Sequence, residues 1–350
     1  MSLPTTDYDI ATLVNPTSTL TNFTLMIDIS RMTSEWKALF NTSVGGYGYA
    51  SDGDGNQLSC DFIGLDSTAK TGWVRVKWTG SLTTGDVQQV RIYPPNTSNL
   101  LVAVGDAYGQ YSAYDGWFAY YPFDGGSLAD RTGNSGTLAA TNPTAPTTET
   151  GKVAGGVGLL LGNDATYVGT TNQYGGLDLT MMFWFKPSIG NIQEIHGGIG
   201  SQTNLAGTPQ NGSQWRIRYH NGVSSVQHIL SSPSEVVGVW QHVTGRLTSS
   251  DITCMVDGTS GTTGHALATA SMDRLSIGSE PRGAGGIYDG AQYHGAARSD
   301  AWINKERLQT DDQVTMFGTW AHVSAESGDS GSHMCTKIMN LKKRNLIGAN

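Results

Sequence analysis

The sequence predicts an all-β protein, and two observations carry that expectation. Charged residues make up only 14% of the chain while glycine numbers 46 of its 350 residues. Helix-rich proteins need exposed Glu and Lys, whereas glycine mixed with Thr, Ser, Tyr and Trp suits short strands joined by tight turns. Strand-sized apolar runs also follow one another closely after residue 117, without long helical periodicity between them. The length is comfortable for two domains with cores. The expected architecture is two β-sandwich domains, residues 1–110 and 111–325, the second a sandwich or jelly roll with a short C-terminal helix, and then a flexible basic tail at 326–350.

The elements follow in order. TNFTLMIDIS (21–30) has period-two character from Phe23 to Ile29 and reads as a strand. MTSEWKALF follows as a helix of about two turns, with Ser34 as N-cap and Trp36, Leu39 and Phe40 at helical spacing. GGYGYASDGDGNQLSCDFIGLD gives two strands around a turn. TGWVRVKWTGSL alternates Trp73, Arg75 and Lys77 against Val74, Val76 and Trp78, a half-buried strand. VQQVRIYPPN is a strand stopped by Pro94 and Pro95. Beyond GWFAYYPFDGG the strand candidates are VGLLLG, TYVGT, LTMMFWFKP, IHGGIG, QWRIRYH, VQHILS, VGVWQHVTGRL, ITCMVDG, DRLSIG and GIYDGAQYHG. ARSDAWINKERLQ is the second helix, with Trp302 and Leu308 placed to dock on the sandwich.

Several function classes are disfavoured. The net charge is −8 and no basic face precedes the last residues, which argues against a nucleic-acid partner. Cys60, Cys254 and Cys335 are distant and odd in number, so neither a zinc knuckle nor a disulfide framework is expected, and each fits a small buried residue. The N-terminal stretch lacks a basic region followed by an apolar core, so no secretory signal is expected, and no apolar run is long enough to span a membrane. The tail from Gly331 carries Lys337, Lys342, Lys343 and Arg344 with no acid. Its GSHM is the remnant of a common cloning site, so the tail is set aside from fold reasoning; as native sequence it would be a basic tether.

YYPFDGGSLADRTGNSGTLAA, LTMMFWFKPS, VWQHVTGRL, ITCMVDG, LSIG and GIYDGAQYHGAARSDAWI follow one another over roughly residues 117–320. In this order they resemble a laminin-G-like domain of the concanavalin A-like jelly-roll superfamily. Residues 20–100 resemble a less characterised β-sandwich domain found ahead of such domains in phage and bacterial surface proteins, although IYPPN replaces the usual aromatic-Gly-Asn ending.

Candidate sites centre on YPFDGGSLADRTGNSG. Asp124, Asp130 and Asn134 are hard oxygen donors among glycines, as calcium requires. The resemblance implies a calcium site here, completed by Asp289 on the closing strand. The alternative is a corner in which Asp130 bonds its own backbone and Gly133 supplies a positive φ. SDGDGNQLSCDFI fails as an EF-hand, because its sixth and twelfth positions from Asp52 are Gln57 and Ile63, so a turn is expected there. The eight histidines form no HExxH or HxH spacing, His242 reads as structural, and no G-x-S-x-G elbow occurs. Asp257 and Asp289 are isolated, against the paired carboxylates of a glycosidase. Tyr174, Trp215, Tyr219, Tyr288 and Tyr293 are candidate sugar-stacking residues as a group, with core filling as the alternative for each.

The expected function is non-enzymatic glycan or surface binding by a phage virion protein (fibre, adhesin or capsid decoration) or a bacterial surface protein. The expected partners are a cell-surface or particle-associated glycan and other virion proteins, with multivalent or homo-oligomeric display supplying avidity. Rival expectations are a purely structural virion subunit and a polysaccharide hydrolase.

Overall fold

Alternating apolar positions build two β units whose faces meet. The computed structural model describes residues 7–324 apart from 15–18, 42–47, 84–86, 96–103, 141–146, 154–156, 160–166, 169–177, 189–196, 200–202, 211–213, 269–274, 278–285 and 314–315. The tail expected at 326–350 lies outside the described residues.

In the first unit one antiparallel sheet runs in the order Ala321–Val323, Tyr8–Thr12, Gln89–Tyr93, Tyr49–Asp52, Gln57–Leu58. A second comprises Thr24–Asp28, Thr71–Lys77 and Cys60–Asp66. Leu25, Ile27, Val74, Val76, Val90 and Ile92 are buried in its core. Helix α1 (Ser34–Leu39) buries Trp36, whose indole Nε1 donates to the Ile92 carbonyl at 2.9 Å. Its cap is Thr33, one residue before the expected Ser34, because the Thr33 hydroxyl accepts from the Trp36 N–H.

The second unit stacks two layers. Its larger sheet runs Thr147–Thr148, Val157–Leu159, Gly286–His294, Leu179–Pro187, Gln241–Leu247, Asp251–Val256, Thr259–Gly264, and Trp117–Tyr121 also pairs with Gly286–His294. Facing it are two smaller sheets, Ala139–Ala140 with Tyr167–Val168, Leu275–Ile277 and Gly197–Ile199, and Thr203–Gln210 with Gln214–Asn221 and Ser225–Leu230. Phe183, Phe185, Ile217, Val243, Ile252 and Cys254 are buried in the core of this sandwich. Its architecture is the predicted jelly roll with a short C-terminal helix.

The middle of the larger sheet is buried on both faces, which explains the uninterrupted run LTMMFWFKP, whereas its edge strand Thr259–Gly264 is largely exposed. Met181, Phe183 and Phe185 belong to the sandwich core, while Met182 and Trp184 join a second core with residues of the first unit. Helix α2 (Asp300–Asp311) contributes to this seam, capped by Ser299, whose hydroxyl accepts from the Trp302 N–H. Trp302 is buried there as expected, whereas Leu308 is only half-buried.

The same helix covers the open edge of Thr24–Asp28. Gln309 accepts from the Met26 N–H at 2.7 Å and donates to the Thr24 carbonyl at 3.0 Å. Gln313, just beyond the helix, repeats the pattern on the Asp28 N–H and the Met26 carbonyl. Two carboxamides thus stand in for a neighbouring strand and satisfy its backbone groups.

The expected polar face of TGWVRVKW is covered at Arg75, correcting the assignment there, while Trp73 and Lys77 are half-buried as expected. Arg75 is 1% exposed and pairs with Glu306 of α2 at 2.6 Å, with Trp117 and Tyr120 rings 5.0 and 4.9 Å from its guanidinium. Beside it, Arg131 grips Asp61 through Nε and Nη2, and the Tyr114 hydroxyl donates to the same carboxylate at 2.6 Å. After α2, Met316 and Phe317 enter the shared core and Ala321–Val323 pairs with Tyr8–Ile10. The last described strand therefore completes the first unit's sheet rather than the jelly roll.

Candidate functional site

The segment Tyr121–Gly136 folds as a corner. Phe123 adopts a left-handed conformation (φ 55°) and Asp124–Gly126 forms a single 3-10 turn. Asp130 then organises the turn after it: one carboxylate oxygen accepts from the N–H groups of Tyr120 and Thr132, the other from the Thr132 hydroxyl and the N–H groups of Asn134 and Ser135. The Asn134 carboxamide donates to the Trp117 carbonyl at 2.9 Å, pinning the turn to the opening strand.

Asp289 lies at a bulge of the closing strand. Phe183 lies opposite two residues, Gly290 and Ala291, as the register between Leu179–Pro187 and Gly286–His294 shifts, and Gly290 takes φ +59°. The Asp289 side chain is fully buried; one oxygen accepts from the Val153 N–H and the other has no hydrogen-bond partner among the described residues. Burial raises its carboxyl to about 7, and the charge of nearby Asp124 adds to the rise. Asp124 itself accepts from the Gly64 N–H of the first unit. As a four-residue calcium cage the set does not fit: Asp130 and Asn134 direct their polar atoms into the corner, and among the described residues no three His, Cys, Asp or Glu converge to hold a metal ion.

The aromatic candidates are core residues. Trp215, Tyr219, Tyr288 and Tyr293 are all buried, and Phe185 packs against both Trp215 and Tyr288 at centroid distances of 6.3 and 4.7 Å. Their faces are covered by protein and cannot receive a sugar ring, which corrects the expectation for these four. Tyr174 lies outside the described residues. His242 is also interior: burial is the main cause lowering its pKa to about 3, and it stacks edge-on against Trp184. Asp257 accepts from the His242 N–H in its hairpin turn, a structural role. Buried Asp289 and turn-bound Asp257 give no carboxylate pair facing a groove.

A surface that the sequence reading missed adjoins the corner. Tyr108 is 38% and Tyr111 45% exposed, and among the described residues they are the only strongly exposed aromatic rings. Their loop is anchored to both units. The Ser59 hydroxyl donates to the Ala107 carbonyl and the Cys60 N–H to the Tyr108 carbonyl, while Gln110 donates to the Arg131 carbonyl at 2.8 Å. The Tyr111 ring lies against Gly133, where an added Cβ would come within 2.8 Å of it. Only glycine gives both the φ of +77° and this close approach. The signal in the sequence was the motif DAYGQYSAY, three tyrosines among small and polar residues just before the opening strand, of which Tyr114 is buried.

Residues 161–304 match the laminin-G-like family model of the concanavalin A-like lectin/glucanases superfamily. The chain is similar to several solved structures at low identity. Domain 4 of AbnA, a GH43 extracellular arabinanase from Geobacillus stearothermophilus, in complex with arabinotriose, is 15% identical, with TM-score 0.45 over 54% of this chain and 97% of that one. The botulinum neurotoxin serotype D ligand-binding domain in complex with N-acetylneuraminic acid is 12% identical, with TM-score 0.46 over 59% and 53%. The botulinum neurotoxin DC binding domain with rat synaptotagmin II is 12% identical, with TM-score 0.46 over 56% and 52%. This chain thus spans nearly all of the arabinanase domain and about half of the toxin domains. Similarity at this level carries no argument about ligand. No curated protein sequence matches the chain.

Proposed function

We propose that this protein is a non-enzymatic glycan-binding protein that receives saccharide rings on the Tyr108–Tyr111 loop. The observation supporting it is that the exposed aromatic rings sit together on a loop held rigidly at the seam of two sandwiches. Aromatic faces stack on the C–H surfaces of sugars, and ordered loops bind with less entropic loss than mobile ones. Asp106 places a half-buried carboxylate in the same loop for hydroxyls. A single shallow platform binds weakly, so display in many copies on a virion fibre, capsid or bacterial surface would supply the avidity. The laminin-G-like match of residues 161–304 accords with a binding scaffold.

The test is a glycan array probed with the full chain, followed by titration of the best ligand against Tyr108→Ala and Tyr111→Ala. Each substitution should weaken binding by roughly 3- to 10-fold, the worth of one aromatic stacking contact. A blank array, or a bound glycan indifferent to the double substitution, would overturn the proposal.

A further inference from the structure

Among the described residues two histidines are fully buried, and both line the seam. His242 is 2% and His294 0% exposed, whereas His220, His228, His265 and His322 are half-buried. The His242 ring stands edge-on to Trp184 at a centroid distance of 5.0 Å, and the His294 ring meets Trp117 and Trp302 at 4.2 and 5.1 Å. All three tryptophans belong to the core shared by the jelly roll and the first unit. The sandwich core has no histidine among its described residues.

Neither place favours a cation. Nδ1 of His294 has no hydrogen-bond partner among the described residues, and its Nε2 lies 3.3 Å from the Gln292 carboxamide oxygen. The charged groups acting on the ring are Arg298, just before α2, and Arg75 of the first unit, while the Glu306 carboxylate is committed to Arg75, Gln292 and Gln309. Indole faces attract a cation, but burial and the two arginines outweigh them and hold His294 well below the ordinary histidine range. Burial likewise takes His242 down to about 3; Arg307 of α2 adds to the fall and Asp311 opposes it. Lys152 stands over the Trp184 ring, and Asp257 accepts from the His242 backbone.

We propose that the seam is an acid-operated fastening: protonation of His242 and His294 frees helix α2 from the larger sheet while both units stay folded. Once the helix leaves, both rings meet water and take a proton below about pH 6.5. The open form then binds more protons than the closed one, so opening becomes easier as pH falls. Asp289, raised to about 7, runs the other way, because it already holds its proton in the closed form. Even with Asp289 exposed on opening, two histidines against one aspartate leave at least one proton, or about tenfold in the opening equilibrium per pH unit below about 6. The device uses no residue of the Tyr108–Tyr111 loop, so either reading can fail alone.

Three indole N–H groups report this place by place. Trp184 donates to the Thr310 hydroxyl of α2 at 3.0 Å, Trp36 donates to the Ile92 carbonyl inside the first unit, and Trp215 is buried in the sandwich core. Their hydrogen exchange is followed by NMR in the full chain at about pH 6 and about pH 4.5, each rate divided by that of free tryptophan at the same pH. The Trp184 indole should gain at least about tenfold while Trp36 and Trp215 hold steady. His242→Gln and His294→Gln, made singly, should each reduce the gain, and the double variant should abolish it. Equal acceleration of all three indoles, which is unfolding rather than release, would overturn the inference. So would a gain below about threefold at Trp184, or one that persists undiminished in the histidine variants that fold. If no variant folds, the comparison of the three indoles in the unaltered protein decides alone.

Discussion

Removing Glu306 tests the seam most directly. Its carboxylate, 1% exposed, meets Arg75 at 2.6 Å and accepts from the carboxamides of Gln292 and Gln309, each at 2.8 Å. Burial pulls the Arg75 guanidinium down, but Glu306 outweighs it and holds the group above its ordinary value. Glu306→Ala leaves a buried cation facing a Thr24 hydroxyl and two aromatic rings, and takes one acceptor from each of the Gln292 and Gln309 carboxamides. Losing one partner of a buried pair costs about 3–5 kcal/mol, a third or more of the stability of a typical domain. The assay is urea unfolding of the full chain, followed by tryptophan fluorescence. The double variant Arg75→Met with Glu306→Leu should recover more than half of the loss, since apolar replacement of both partners removes the unpaired charge. A loss below about 1 kcal/mol in Glu306→Ala, or a double variant no better than the single one, would refute the account of the seam.

Other perturbations read the corner and the bulge. Native Asp289, with its carboxyl raised to about 7, holds a proton that the unfolded chain has already released above the ordinary carboxylate range. Stability should therefore fall as pH rises through that window and level off above about 7, and Asp289→Asn should remove this slope when unfolding is compared at pH 5 and 8. An identical slope in the variant would count against it. Gly133→Ala forces alanine to φ +77° and drives its Cβ into the Tyr111 ring, so unfolding should show a loss of about 1–2 kcal/mol. Because the Asp130 oxygens already serve five donors, calcium and then a chelator should leave the melting temperature within about a degree; a rise of several degrees with calcium would show that the corner does bind it.

Local chemistry was legible in the sequence where it decides the outcome. Asp52 forms the turn expected of SDGDGNQL, its carboxylate accepting from the Asp54 and Asn56 N–H groups. Asp130 builds the corner offered as the alternative to calcium, and Cys60 and Cys254 are buried free thiols. What failed were the inferences about which face is covered at Arg75 and at the aromatic candidates. Arg75 alternates with Val74 and Val76 as an exposed residue would, but a second unit packs over it. Trp215 and Tyr288 have the composition of a sugar platform and the environment of a core. Tyr108 and Tyr111 precede the strands that carry the family resemblance, so motif order drew attention away from them. Period-two patterns report that a strand has two sides; they do not report what each side meets.

The pairing of Ala321–Val323 with Tyr8–Ile10 bears on how the polypeptide matures. Topologically the jelly roll is a long excursion inserted into the first unit, not a bead strung after it. On the ribosome the opening strand meets Gln89–Tyr93 early, but its other edge must wait for a partner more than 300 residues downstream. Shortening the chain just after α2 would therefore damage the part synthesised first, while joining the two neighbouring strands by a short linker and opening the chain elsewhere should leave the architecture intact.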